Sequence, residues 1–259
     1  MSLKSYFQID FNNILYSNNY YSIYKGIDKI TKNQIIIKKI KFNEDFDKKL
    51  INNEIKNIRL LNLSFNSHHY INHYIEDHDL FIIYENYEYN LDNFINNKKF
   101  SMEEIQDIIS QLNNSLKLLY DKNLFHLNIS SYNILIKKEN NKNIYLLSDY
   151  GFQNIKLKNL INETPSEDLF YIPPEIKLNS SHNLNKADLW SIGILLYNLY
   201  FNKSPFQNNK EYLNFISKKN NEKLKINSNN EDLNDLIENL IISDPIKRIS
   251  WDLGRLFQA

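Results

Sequence analysis

The chain contains no cysteine among its 259 residues. That absence excludes disulfides, thiolate zinc sites and cysteine nucleophiles, and it is compatible with a reducing intracellular compartment. Neither sign of charge is in excess, because lysine and arginine total 31 and aspartate and glutamate also total 31. The balance gives no reason to expect nucleic acid or an anionic membrane as a partner.

Long hydrophobic runs are also absent. The first 11 residues have no apolar signal core, and the longest apolar segment, around Ile192 to Phe201, is too short and interrupted to cross a bilayer. We therefore expect a soluble, cytoplasmic protein. Its 42% hydrophobic content suffices for a substantial core in one domain or in two lobes that share a hinge.

The hydrophobic spacing in the first third of the chain is mainly that of strands. Residues 20–27 and 34–40 alternate between apolar and polar side chains, on either side of a turn-like segment. Helical spacing follows around Leu50 to Leu61, and two strand-like runs lie at Tyr70 to Ile75 and Leu80 to Tyr84. The pattern predicts a small sheet with one helix.

After residue 90 the spacing becomes helical. Ser101 and Glu104 form the S-x-x-E pattern of a capping box, and apolar residues then recur at helical intervals. Residues 187–201 are apolar on nearly all sides, which is typical of a buried helix. A late helix is predicted from Asp232 to Ile242.

Two motifs lie in the middle of the chain, HLNISSYNIL at 126–135 and SDYG at 148–151. They resemble the catalytic loop, HRDLKxxNIL, and the metal-binding loop, DFG, of the eukaryotic protein kinases. Residues 188–206 and 244–250 resemble the Ser/Thr branch of that family. The resemblance implies an α+β, bilobal protein-kinase fold, with a small β-rich N-lobe carrying one regulatory helix (1–84), a hinge (85–90) and a larger helical C-lobe (91–259).

The resemblance also implies roles for individual residues. Lys38 matches the strand lysine that holds the nucleotide phosphates, and Glu54 matches the helix glutamate that pairs with that lysine. Taken alone, Lys38 or Glu54 would far more often be a solvated surface charge, and Asp149 could be an ordinary turn carboxylate. Their order and their strand and helix contexts favour the functional roles. The expected ATP site comprises Lys38, Glu54, Ile36, Tyr84 and Glu85, with Asp149 and Asn133 as the magnesium ligands. Glu175 and Arg248 match a pair that forms a buried ion pair in the family.

Three chemically important letters of the catalytic loop depart from the family pattern. Asn128 stands in the place of the aspartate base, Ser130 in the place of the lysine that neutralises the γ-phosphate, and Leu127 in the place of an arginine. An amide cannot take a proton near neutral pH, and losing a positioned base typically costs about 10² to 10⁴ in rate. The loop therefore predicts a pseudokinase.

The phosphate-covering loop departs further. The family pattern G-x-G-x-x-G appears here as residues 16–21, in which Tyr16 and Tyr21 add bulk and Asn18 is the one tolerable substitute for glycine. Ile36 replaces a small alanine and should crowd the adenine ring. We expect ATP and Mg²⁺ to bind weakly or not at all.

These observations predict a scaffold or allosteric binding module whose partner is a protein, either a kinase or a substrate. Two alternatives stay open, a low-activity ATP-dependent Ser/Thr protein kinase and a non-catalytic nucleotide sensor. A cluster of histidines at positions 68, 69, 73 and 78 could suggest a separate metal site, but its spacing fits solvated loop residues better.

Overall fold

The computed structural model describes residues 2–17, 21–41, 48–95, 97–151, 168–178, 184–217 and 223–250. The chain forms two compact units, of which the first comprises residues 1–63 and 67–88 and the second residues 64–66 and 89–259. The chain thus passes from one unit to the other after Glu88, within the segment that the sequence predicts as a hinge. Residues 64–66, which the sequence assigns to the first lobe, belong to the second unit.

The first unit is a five-stranded sheet with two helices. The strands run antiparallel to their neighbours in the order β1-β2-β3-β5-β4. In chain order the elements are α1 (Leu3–Tyr6), β1 (Phe7–Ser17), β2 (Tyr21–Asp28), β3 (Gln34–Lys41), α2 (Lys48–Leu61), β4 (Tyr70–Glu76) and β5 (Asp79–Glu85).

Residues from α1 and from the start of β1 pack into the core of the first unit. Leu3 and Phe7 are buried in one cluster with Ile35, Ile37 and Ile83 of the central strands. The backbone amide of Leu3 also donates to Glu76 Oε1 over 2.6 Å. Neither α1 nor β1 was predicted from the sequence, although the alternation of apolar residues at positions 7, 9 and 11 is a strand signal.

The second unit is mainly helical and contains a small sheet in the order β6-β7-β8. Two short 3₁₀ helices, Ser131–Asn133 and Asp168–Tyr171, flank the β7–β8 hairpin in sequence. The other elements are β6 (Tyr89–Asn90), α3 (Asp92–Ile95), α4 (Met102–Tyr120), β7 (Ile134–Glu139), β8 (Lys142–Leu147), α5 (Pro174–Lys177), α6 (Ala187–Phe201), α7 (Asn209–Ser217) and α8 (Glu231–Leu240). A β-rich first unit and a helical second unit confirm the predicted α+β division.

The predicted capping box is present at the start of α4. The amide of Glu104 donates to Ser101 Oγ over 3.2 Å, and the amide of Ser101 donates back to Glu104 Oε2 over 2.9 Å. These two bonds satisfy backbone donors that the first turn of a helix leaves without intrahelical partners. The capping box predicted from Ser101 and Glu104 therefore identified the start of α4 correctly.

Helix α6 lies at the centre of the second unit, as its uniformly apolar sequence predicts. Leu189, Trp190, Ile192 and Leu196 have no exposed surface. Gly193 allows the closest approach, because a Cβ at this position would lie 2.8 Å from Ile241 Cγ1 and from Leu240 Cβ at the end of α8. Small size at this position is therefore a packing requirement.

Asn66 explains why residues 64–66 belong to the second unit. Its side-chain Nδ2 donates to Gln111 Oε1 on α4 over 2.9 Å and to the carbonyl of Tyr145 on β8 over 3.1 Å. Asn114 Nδ2 donates to Asn66 Oδ1 over 2.9 Å, so both ends of the amide are satisfied. A buried amide without these partners would lower the stability of the folded state.

Arg248 and Glu175 form the buried ion pair that the family resemblance implies. Two parallel hydrogen bonds join the guanidinium to the carboxylate, Nη1 to Oε1 over 2.7 Å and Nη2 to Oε2 over 2.6 Å. Neither side chain has measurable exposure. Arg248 also donates hydrogen bonds to the carbonyls of Ile242 and Lys186, so further N–H groups of the guanidinium have partners.

Among the described helices, none is long and apolar enough to cross a membrane.

Candidate nucleotide and metal site

The loop that carries Asn128 is attached to the buried helix α6 through Asp188. The two oxygens of this carboxylate accept hydrogen bonds from the backbone amides of His126 and Leu127, each over 2.7 Å. Burial raises the pKa of Asp188 to about 6, the two backbone donors oppose that rise, and the nearby Glu175 adds to it. Leu127 has a φ of 58°, so the chain turns sharply immediately before Asn128.

The β7–β8 hairpin brings together two residues that the sequence singles out, Asn133 and Asp149. Ile134 pairs with Leu147, so Asn133 and Asp149 lie beside each other at the open end of the hairpin. Ser148 holds this end closed, because its amide and its hydroxyl donate to the carbonyl of Asn133 over 2.8 and 2.9 Å.

Asn128 contacts both candidate metal ligands. Its side-chain Nδ2 donates to Asp149 Oδ2 over 2.6 Å. Its backbone carbonyl accepts a hydrogen bond from Asn133 Nδ2 over 2.9 Å. The structure therefore joins the substituted base position to the two positions where the family resemblance places the metal.

The chemistry of these groups fits a divalent cation. Carboxylate and amide oxygens are the hard ligands that Mg²⁺ prefers. Asn133 uses its Nδ2 to hold Asn128, so its Oδ1 is the atom that could coordinate. Asp149 has a φ of 61°, and Gly151 in the same turn has a φ of 99°. Left-handed backbone is uncommon for residues other than glycine but tolerated by aspartate, so the turn holds the carboxylate in a restricted orientation.

Ser130 is buried, with 6% exposure, and its carbonyl accepts from the amide of Asn133 over 3.1 Å. A neutral hydroxyl supplies no positive charge at this position.

The next residue, Ser131, donates to Asp92 Oδ1 over 2.8 Å and contacts the hydroxyl of Tyr171 at 3.5 Å. Asn198 donates to the same tyrosine oxygen, and burial raises the pKa of Tyr171 to about 12. No short-range signal in the sequence indicates this network, because its members lie on four separate segments.

Lys38 lies on β3 with 6% exposure, and its ammonium is 4.1 Å from the centroid of the Tyr21 ring. Tyr21 in turn contacts Tyr16, with ring centroids 5.5 Å apart. These two tyrosines begin and end the segment that stands in place of the glycine-rich loop. Ser17, which follows Tyr16, pairs with Ser22, which follows Tyr21. Asn18 lies outside the described residues.

Ile36 and Tyr84 are direct neighbours across the β3–β5 pair, and Ile35 pairs with Glu85. Ile36, which the sequence predicts to crowd the adenine ring, therefore lies beside Tyr84, a bulky residue of the expected ATP site, on the neighbouring strand. Tyr84 is buried, with 7% exposure.

His68 supports this region in a way that the sequence did not indicate. Its ring stacks on Tyr84, with centroids 4.5 Å apart and planes inclined by 21°. His68 Nε2 lies 2.8 Å from the carbonyl oxygen of Glu85. The hydroxyl of Tyr87 donates to Glu85 Oε2 over 2.6 Å, and burial raises the pKa of that tyrosine. His68 is therefore a packed residue and not a solvated loop histidine.

The structure also places Glu54 and His73, two further candidates from the sequence. Glu54 is half-buried on α2, and its pairing with Lys38 stays a prediction. His73 Nδ1 lies 2.8 Å from the hydroxyl of Tyr70, and burial together with the charge of Arg59 lowers the pKa of His73. Within the part of the chain that the structure describes, no cluster of three or more His, Cys, Asp or Glu residues could hold a metal ion.

Comparison with known proteins gives one family. The model of the protein kinase domain matches residues 17–255. The chain is 27% identical to the serine/threonine-protein kinase ULK3 of Xenopus laevis over 243 residues, which cover 91% of this chain and 51% of that protein. It is 31% identical to the serine/threonine-protein kinase atg1 of Dictyostelium discoideum over 156 residues, 60% of this chain and 23% of that protein.

A further relative is the putative serine/threonine-protein kinase R517/R518 of Acanthamoeba polyphaga mimivirus. Here the identity is 27% over 271 residues, covering 92% of this chain and 60% of the relative. The matched region is therefore less than two thirds of the length of each of these three relatives.

Proposed function

The chain belongs to the protein kinase family, and we propose that within this family it is a pseudokinase. In this proposal it acts as a scaffold or allosteric binding module for a protein partner, either a kinase or a substrate of one. The observation that carries the proposal is Asn128, which occupies the position of the base and donates its amide to Asp149 over 2.6 Å.

The chemistry of Asn128 supports the absence of ordinary turnover. In kinases the loop aspartate accepts or orients the proton of the substrate hydroxyl while the phosphoryl group moves. A carboxamide has no basic site near neutral pH, and here its N–H is already bonded within the chain. Ser130 removes a second source of stabilisation for the developing charge on the phosphoryl group.

Contacts within the first unit support the proposal that nucleotide binding is weak. The ammonium of Lys38 lies beneath the ring of Tyr21. A bound nucleotide phosphate would have to form an ion pair with the same ammonium. Ile36 and Tyr84 together add volume where adenine would bind. Magnesium, when bound, would supply charge neutralisation at the phosphates, and Asp149 and Asn133 are the residues that would hold it.

Binding without turnover is a function that the fold allows, because a kinase-shaped surface can change the populations of a partner's conformations by differential affinity. The loop attachment through Asp188 and the buried Arg248–Glu175 pair would keep that surface well defined. The proposed partner is a protein of a phosphorylation pathway.

Two assays test the proposal. In the first, purified chain is incubated with radiolabelled ATP, Mg²⁺ and a generic Ser/Thr substrate, and we expect no transfer above that of Asp149→Ala. Transfer at ordinary kinase rates that Asp149→Ala abolishes would overturn the proposal.

The second assay is a thermal-shift titration with ATP, with and without Mg²⁺. We expect at most a weak shift for the wild type and none for Lys38→Ala. Lys39→Ala is the matched control, because Lys39 neighbours Lys38 on β3 but pairs with Asp79 over 2.6 Å.

One observation favours a second candidate, a Ser/Thr kinase of low activity. Asn133 and Asp149 are positioned together, and Asp188 fixes the loop backbone. Phosphoryl transfer depends largely on positioning and electrostatics, so slow turnover is compatible with this geometry. In that case Asn128→Asp should raise the rate strongly. Saturable stabilisation by ATP without any transfer would instead identify a nucleotide sensor.

A further inference from the structure

The amide of Asn128 has a second consequence, which concerns the cation. We propose that Asn128 is an internal lock on the metal site, because its N–H competes with a divalent cation for Oδ2, one of the two coordinating oxygens of Asp149. The distance of 2.6 Å from Asn128 Nδ2 to Asp149 Oδ2 is short for an N–H···O bond, as expected where the acceptor is charged.

Both partners of this bond are held in place by other contacts. The carbonyl of Asn128 accepts from Asn133 Nδ2, and the two preceding backbone amides bind Asp188. On the other side, Ser148 ties the start of the Asp149 turn to the carbonyl of Asn133. The lock is therefore preorganised, and opening it requires a rotation of the Asn128 side chain.

A cation and an amide hydrogen compete for the same carboxylate oxygen, because both carry positive charge and bind through its lone pairs. Mg²⁺ requires its ligands at about 2.0 to 2.1 Å in near-octahedral geometry, which leaves no room for an N–H on the same side of the oxygen. Hydrogen bonds to charged groups are among the stronger ones in proteins. Since water replaces the amide when the bond opens, we expect the lock to weaken cation binding by about tenfold.

This inference rests on the proposed function, since both take Asp149 and Asn133 as the metal position of a diverged kinase. It goes beyond the loss of the base, however, because a missing base alone changes proton transfer and leaves cation affinity unaltered. The two effects are separated by measuring cation binding in the absence of nucleotide and substrate.

The experiment uses Mn²⁺ alone as the probe, with free Mn²⁺ quantified by electron paramagnetic resonance. The full chain is titrated as wild type, Asn128→Ala and Asn128→Ser. We expect both variants to bind Mn²⁺ about tenfold more tightly than the wild type. Asn72→Ala, which removes an exposed amide on β4, is the matched control and should bind as the wild type does.

Asn128→Asp gives a second readout that does not depend on affinity alone. It places a carboxylate where the amide now lies, so two negative charges face each other at short range. We expect its melting temperature to fall in EDTA and to recover with Mn²⁺, whereas the wild type responds little to either. Ser and Ala variants that melt like the wild type in EDTA show that folding is intact.

Equal Mn²⁺ affinity in the wild type and in both Asn128 variants would overturn the lock. A gain in Mn²⁺ affinity that persists when Asp149→Asn is added to an Asn128 variant would also overturn the lock, because the cation would then bind elsewhere. Either result leaves the proposed function standing as long as the wild type transfers no phosphate. Conversely, phosphate transfer by the wild type removes the proposed function whatever the Mn²⁺ titration shows.

Discussion

The ring of Tyr21 lies over the ammonium of Lys38, with 4.1 Å between the nitrogen and the ring centroid. Tyr21 occupies the last position of the segment that replaces the glycine-rich loop, and Lys38 is the residue expected to bind phosphate. A cation over an aromatic face is attracted by the ring quadrupole, and the attraction is strongest where water is excluded. Lys38 has only 6% exposure, so a nucleotide would have to displace this contact.

Replacing Tyr21 by glycine should therefore strengthen nucleotide binding. We expect the ATP concentration at half-maximal thermal shift to fall by roughly tenfold, in line with the upper range of buried cation–π contacts. Tyr21→Phe keeps the aromatic face and is the matched control, with wild-type behaviour expected. Identical titrations for the glycine and phenylalanine variants would show that the ring does not restrict the site.

Breaking the Arg248–Glu175 pair should destabilise the second unit severely. Removing one partner of a buried ion pair leaves an uncompensated charge and costs about 3 to 5 kcal/mol. We expect this loss in the urea-unfolding free energy of Arg248→Met, and a smaller loss for Glu175→Gln, which keeps a hydrogen-bond acceptor. Lys98→Ala removes an exposed ion pair with Glu104 and should change stability by less than about 1 kcal/mol. Equal effects of Arg248→Met and Lys98→Ala would contradict the buried geometry.

Asp188 should give the stability of the chain a distinctive pH dependence. Its pKa in the folded state, about 6, lies above the unfolded value of about 3.9. The folded chain therefore binds the extra proton, so the stability due to this group is fully present below pH ~4 and is lost as the pH rises through about 6.

The measurement is urea unfolding of the wild type and Asp188→Asn between pH 4 and pH 7. The unfolding free energy of the wild type minus that of the variant should fall by about 2 kcal/mol over this range. The asparagine variant does not ionise at this position, so contributions from all other groups cancel in the difference. A difference that stays constant with pH would show that Asp188 titrates normally.

Gly193→Ala should destabilise the contact between α6 and α8. The added Cβ would lie 2.8 Å from Ile241 Cγ1 and Leu240 Cβ, closer than side-chain carbons normally approach. Although alanine favours helix more than glycine does, overpacking a core typically costs about 1 to 3 kcal/mol. We expect a net loss in thermal melting, and partial recovery in Gly193→Ala combined with Ile241→Val. A melting temperature equal to that of the wild type would mean that α8 shifts without cost.

Much of the fold could be read from short-range patterns. The spacing of residues 187–201 predicted helix α6 to the residue, and Ser101 with Glu104 predicted the start of α4. The late helix begins and ends within about two residues of its prediction, at Glu231 and Leu240. Residues 64–66, which the sequence assigns to the first lobe, group with the second unit, because Asn66 finds its partners on α4 and β8, far along the chain.

The sequence by itself determined which chemical groups stand at the site. An asparagine stands where the family pattern has the base, a serine where it has the lysine, and two tyrosines where it has glycines. Each identity limits what that side chain can donate, accept or carry as charge. Only the tertiary structure decided the partners of those groups. Asn128 bonds to Asp149, 21 positions away, Tyr21 covers Lys38, and His68 stacks on Tyr84. Those pairings depend on strand register and loop geometry, which bring together residues that local patterns treat separately.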